Sequence, residues 1–162
     1  MKREANPKII EILNDVLSAE LTAINQYFLH AEMCTDWGYE YLGKTIRAES
    51  IDEMRHAEQL IERILYLNGI PNVQRLYKIN IGENVPEIFK SDLELEYVAL
   101  KRLNDAIPVC VAEGDHGTRE LLEGILTSEE EHVDWLEAQL DLIDQAGVGN
   151  YLATQIRKNQ DG

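Results

Sequence analysis

Cysteine and basic residues are both scarce in this chain, and each shortage excludes something. The two cysteines among 162 residues, Cys34 and Cys110, form no CxxC spacing, so no zinc ribbon, redox dithiol or cysteine-bound iron–sulfur module is expected. Two lone thiols, and a start of Met1-Lys2-Arg3-Glu4 that lacks an apolar signal core, predict a cytoplasmic protein. No apolar run approaches the roughly 18 residues of a membrane span. Fifteen Lys and Arg against thirty Asp and Glu leave a formal net charge of −15. That balance argues against a nucleic-acid partner and favours cations, beside the plain reading of a solvated acidic surface. No strand pattern of useful length occurs, and a hydrophobic content of 44% suits one globular domain with a real core.

What is present is helical. Asn6-Pro7 reads as a cap followed by a first-turn proline, opening a helix over about 7–36. Its seam is Ile9, Leu13, Val16, Glu20, Ala23, Tyr27, His30 or Ala31, and Cys34, alternating steps of four and three as a bundle core does. A second stripe, Leu17, Leu21, Ile24 and Phe28, calls for another partner. Asp36-Trp37-Gly38 breaks that helix. The next, about 38–67, carries Leu42, Ile46, Glu49, Glu53, His56, Leu60, Ile64 and Leu67. Asn68-Gly69-Ile70-Pro71 stops it, and the long stretch that follows predicts a crossover running the length of a bundle. A third helix, about 85–112, contains Phe89, Leu93, Glu96, Leu100, Leu103, Ile107 and Cys110, and Pro108 predicts a kink or local break in it. A fourth covers about 116–146 with Leu122, Ile125, Glu129, His132, Leu136 and Ile143. A short fifth is expected at about 150–158. The fold class is all-α: a four-helix bundle with one long crossover and a short C-terminal fifth helix, in a single domain over 1–162.

Charged residues sit inside these apolar seams, and their spacing carries the functional argument. Glu53-x-x-His56 and Glu129-x-x-His132 each place a carboxylate and an imidazole on one helix face. The differences 129 − 53, 132 − 56 and 96 − 20 all equal 76. Two similar helical hairpins are therefore expected, each giving one lone Glu and one Glu-x-x-His. Glu113 and His116 share the three-residue spacing but straddle Gly114-Asp115, a helix break, and read as structural or solvated.

Four inward carboxylates without counter-ions would cost far more than a fold can supply, and two divalent cations balance them. Glu20, Glu53, His56, Glu96, Glu129 and His132 thus form the ligand set of a carboxylate-bridged di-iron or di-manganese centre. Glu53 and Glu129 are assigned as bridges, Glu20 with His56 completing one metal and Glu96 with His132 the other. Tyr27 reads either as a core phenol bonded to a carboxylate or as a redox residue, and His30 as structural. Glu49 is either close to the metals or at a solvated end. Met54 points away from the interior, which by pattern alone suggests packing or an interface plug.

Asn25-Gln26-Tyr27-Phe28-Leu29-His30-Ala31, Glu49-Ser50-Ile51-Asp52-Glu53-Met54, Asn80-Ile81-Gly82-Glu83 and Trp135-Leu136-Glu137 are together similar to segments of the bacterioferritins, over nearly the whole chain. The resemblance implies ferroxidase activity at the six ligands. Two Fe(II) would be oxidised by O2 or H2O2, and Fe(III) stored as mineral in a hollow cage of about twenty-four subunits. It implies that Met54 ligates haem b shared between two subunits, with Leu21, Ile24, Asn25 and Phe28 as the pocket wall, and that a small ferredoxin supplies electrons for iron release. The chain departs from some members at Ala48 and Ser128, leaving only Asp52 of an inner-surface iron site, and at Leu60, where some carry Tyr. Two other readings compete: a stable di-metal oxygenase, peroxidase or catalase, and a non-enzymatic cage subunit.

Overall fold

The computed structural model describes residues 4–156. Five helices follow in order: α1 (Pro7–Asp36), α2 (Glu40–Tyr66), α3 (Val85–Ala112), α4 (His116–Ala146) and α5 (Val148–Ala153). Among the described residues there is no strand, and the all-α four-helix bundle expected above is the architecture found. Asn6 caps α1 by accepting from the Lys8 N–H, and Asn84 caps α3 by accepting from Glu87. α2 begins at Glu40 rather than 38, because Gly38 takes φ +93°, a turn conformation open to glycine. α5 starts at Val148, earlier than the expected 150, and ends at Ala153; the last two residues of the expected range, 157 and 158, lie outside the described residues. α3 runs through Pro108 without a break. Pro108 and Asn104, the residue whose carbonyl it leaves without a helical donor, both face solvent, where water can serve that carbonyl.

α1 packs chiefly on α2 and α3 on α4, with lesser contact of α1 with α3 and of α2 with α4. The core falls into two apolar clusters. One holds Ile9, Leu13, Leu60, Leu122 and Cys110; the other holds Val85, Phe89, Leu136, Ile46 and Cys34. Adding 76 to Ile9, Leu13, Cys34, Ile46 and Leu60 gives Val85, Phe89, Cys110, Leu122 and Leu136, and every pair has one member in each cluster. The two hairpins are thus related by an approximate two-fold axis across the middle of the bundle. Only positions near the axis meet their own counterparts. The symmetry also explains the crossover, since the second hairpin must start at the end opposite to where the first finishes.

That crossover, residues 67–84, has no helix or strand of its own. Its polar groups are met by a stripe on α1 at four-residue steps. Asn14 accepts from the Asn72 N–H (2.8 Å), Ser18 from the Arg75 guanidinium (3.0 Å), Thr22 from the Tyr77 N–H (2.9 Å) and Gln26 from the Asn80 N–H (3.1 Å). His30 Nε2 accepts from the Gly82 N–H at 3.0 Å. Since Nε2 accepts, Nδ1 carries the proton and donates to Asp92 on α3 at 2.8 Å; Gln26 donates to the same carboxylate oxygen, also at 2.8 Å. Gly82 lies so close to α3 that a Cβ there would come within 2.4 Å of the Ile88 nitrogen.

Candidate metal centre

Each long helix changes character at mid-length. Glu20 lies between Leu17 and Ala23 on α1, Glu53 between Ile46 and Ala57 on α2, and Glu96 between Phe89 and Leu103 on α3. Glu129 and His132 lie between Ile125 and Leu136 on α4. The apolar clusters above and below hold these helices in register, so the polar side chains are forced into one layer. All four glutamates and His132 are buried, and the His56 side chain is 12% exposed.

The geometry separates into two halves. His56 Nδ1 stands 3.2 Å from Glu129 Oε1 and 3.5 Å from both Glu20 Oε2 and Glu53 Oε2. His132 Nδ1 stands 3.0 Å from Glu53 Oε1, 3.6 Å from Glu96 Oε1 and 3.7 Å from Glu129 Oε2. Glu53 and Glu129 therefore each turn one oxygen to each half. Two overlapping sets of four ligand atoms result, Glu20-Glu53-His56-Glu129 and Glu53-Glu96-Glu129-His132, each with all its atoms within 4.8 Å of one another. Several of these atoms, Glu20 Oε2, Glu53 Oε1, Glu96 Oε2, Glu129 Oε1 and both histidine Nδ1, are buried without a well-formed hydrogen bond. Oxygen donors plus one imidazole per half fit a divalent first-row metal ion in each, and two such ions match the charge of four carboxylates.

Titration follows the same crowding. Burial alone would push the His56 imidazolium toward deprotonation, but the carboxylates of Glu129 and Glu53 outweigh it and raise its pKa to about 9. His132 is raised in the same way by Glu129, Glu53 and Glu96 against its burial. Burial, then the neighbouring Glu129, lifts Glu96 well above the carboxylate range. Protons here occupy the place of cations, and a metal must displace them.

Around this layer Tyr27 is fully buried and donates its phenol O–H to Glu96; burial and then the Glu96 charge raise its pKa well above the ordinary phenol. Glu49 is 7% exposed, so it belongs to the interior and not to a solvated end, and burial lifts its carboxyl to about 8. His30 sits in the crossover network away from the two ligand sets. Asp92, its partner, was not singled out by the sequence: it is one acid in a run with Glu94 and Glu96, and only its four-residue step from Glu96 hinted at the same face. Glu113 closes α3 and bonds Asn6 and Lys8, while His116 opens α4, so that pair stays apart from the centre.

Met54 points outward from α2 and is 54% exposed. The Ser50 hydroxyl donates to the Ile24 carbonyl and Arg47 lies over the Phe28 ring, which fixes how α2 runs against α1. Along that seam Leu21 and Ile24 are half-buried and Phe28 is 49% exposed. Exposed apolar side chains on both helices, Met54 and Phe28 among them, leave an apolar surface open here.

Comparison with known proteins agrees over nearly the whole chain. Residues 10–146 match the family described as Ferritin-like domain. A bacterioferritin of Streptomyces coelicolor is 50% identical over 157 residues, covering 97% of this chain and 94% of that one. One from Mycobacterium tuberculosis is 47% identical over 150 residues (93% and 94%), and one from Brucella melitensis 44% over 148 (91% and 92%).

Proposed function

The chain belongs to the bacterioferritin family, whose role is iron storage, and on that premise we propose that its buried layer is a ferroxidase centre feeding an iron store. Glu20, Glu53, His56, Glu96, Glu129 and His132 bind two Fe(II) as substrate. The observation that carries this reading is the split of Glu53 and Glu129, each with one oxygen for either half. Each ferrous ion gives up one electron. With two protons, O2 leaves as hydrogen peroxide, or hydrogen peroxide leaves as two waters. Tyr27 fixes the Glu96 carboxylate through its O–H. Iron entering the centre displaces the protons of the two imidazoles.

Met54 is the residue that would hold haem b, shared with a second subunit across the strip of Leu21, Ile24, Asn25 and Phe28. Haem would supply one-electron reduction of stored Fe(III). A cage of twenty-four subunits, a small ferredoxin as electron donor and a cytoplasmic location complete the reading by family. No described helix is long and apolar enough to cross a membrane.

Stopped-flow oxidation of Fe(II) by metal-free protein in air tests the centre, with iron below and far above two per subunit. Continued oxidation with iron held in solution supports a store. A permanent halt at two identifies a stable di-metal cofactor instead. A Glu20→Ala/Glu96→Ala variant is expected to lose fast oxidation and keep haem. Met54→Leu is expected to lose haem and keep oxidation; haem retention would remove Met54 from its role.

A further inference from the structure

The two-fold axis relating the hairpins passes through the metal layer and leaves the bundle on two faces of opposite chemistry. On the α1–α3 face a narrow cavity of about 50 Å³ reaches the carboxylates of Glu20, Glu53, Glu96 and Glu129. Its walls pair across the axis at the same offset of 76: Ala19 with Leu95, and Ala23 with Ala99. What breaks the symmetry is the rim. Tyr77 of the crossover is held there by Thr22, and the Arg102 guanidinium lies 4.5 Å from its ring centre. Arg75 also stands over that ring, at 5.7 Å, with its charge met by Asp15 at 2.6 Å. Arg102 makes no ion pair among the described residues, and Asp15 and Asp105 line the adjoining hollow with it, so a guanidinium stands at this rim with carboxylates to one side only. On the α2–α4 face an open cleft of about 540 Å³ reaches His56 instead, lined by Asp52, Glu120 and Glu131 with Arg55 and Gln59.

Resting on the ferroxidase reading, we propose that the reactants use different faces: the apolar α1–α3 mouth rimmed by Arg102 and Tyr77 passes the neutral oxidant, and ferrous iron arrives through the acidic α2–α4 cleft. Moving a hydrated dication between alanine, leucine and valine walls strips water before the carboxylates at the base of the cavity can replace it, and the guanidinium repels it. A small neutral molecule meets neither barrier. It also arrives on the axis, equidistant from the two halves, where one electron from each metal can be taken. The cleft supplies carboxylates on approach, which raises the local concentration of cations.

The test separates loading from oxidation in the assembled protein, using Co(II) as the loading probe, followed by its visible absorption, and O2 as the oxidant of anaerobically preloaded Fe(II). Ala99→Leu narrows the mouth and is expected to slow oxidation by O2 at least five-fold while Co(II) loading changes less than two-fold. Arg102→Glu reverses the rim charge and is expected to leave Co(II) loading within two-fold. Glu120→Lys/Glu131→Lys is expected to slow Co(II) loading several-fold. Faster loading in Arg102→Glu, slower loading in Ala99→Leu, or unchanged oxidation in Ala99→Leu would each overturn the proposal. If Ala99→Leu fails to assemble, Val98→Phe at the outer lip takes its place. Failure of the parent to bind two Co(II) per subunit would instead strike the metal-centre reading itself.

Discussion

Asp92 is fully buried on α3 and takes hydrogen bonds from two α1 side chains, Gln26 and His30. Burial raises its carboxyl pKa, and the bonds from His30 and Gln26 pull the other way. Asp92→Ala would leave two buried donors without an acceptor, at about 1–3 kcal/mol each. A loss of about 2–5 kcal/mol is expected, readable as a shift in the urea midpoint at constant slope. The sequence made the six converging side chains visible because a repeat offset singles out positions that chance does not. Asp92 has no counterpart of that kind: 76 residues back stands Val16. The network it organises exists once, so no internal comparison could expose it. Glu49 was ambiguous for a related reason, since seam periodicity says which face a side chain takes but not where along the bundle the solvent begins.

Two element ends carry predictions of their own. Asp115 caps α4, accepting from the Thr118 N–H and hydroxyl at 2.9 and 2.7 Å and from Arg63 at 2.8 Å. Burial would raise its pKa, but the bonds from Thr118 and the Arg63 charge win and hold it below the usual range. Its stabilisation is therefore present above the unfolded value of about 3.9 and disappears as pH falls through the lower folded value. Asp115→Ala should lose about 1 kcal/mol at pH 7, and in thermal melts the gap from the parent should narrow only as pH falls below about 3.9. Gly82→Ala forces a Cβ against the α3 backbone, an overpacking of about 1–3 kcal/mol. In a domain of this size that lowers the melting temperature by about 2–4 °C per kcal/mol. At this scale the Asn6 cap and the break at Gly38 were plain in the sequence, because their signals are local, whereas the close approach at Gly82 depends on where α3 packs. The fate of Pro108 was not: whether proline breaks a helix depends on whether water can serve the freed carbonyl, and that is decided by packing.

For the whole molecule, the carboxylate–imidazole layer divides the core into two apolar ends with charge between them. Co(II) at about one hundred times its dissociation constant should stabilise each site by about 2.7 kcal/mol, seen as a rise in melting temperature that Glu20→Ala/Glu96→Ala no longer shows. A net charge of −15 also makes cation arrival sensitive to screening, so Co(II) loading should slow as salt is raised from about 0.01 to 0.15 M, where the Debye length shrinks from about 30 to 8 Å. The bundle and its crossover were legible from the seams and the repeat. How the crossover is held was not, because the partners of a segment without periodicity are set only once the helices are placed.

The polar stripe that receives the crossover also works as a ruler. Each four-residue step along α1 advances about 6 Å. The loop covers the two steps from Asn72 to Tyr77, about 12 Å, with five residues, the single step from Tyr77 to Asn80 with three, and the single step from Asn80 to Gly82 with two. Two extended residues reach only about 6.6–7.2 Å, so the last interval is almost taut while the first has slack to spare. Length changes in this loop should thus be tolerated unevenly. An extra residue before Tyr77 can be absorbed, whereas one lost after Asn80 must unfasten His30 or pull α3 out of register with the metal layer.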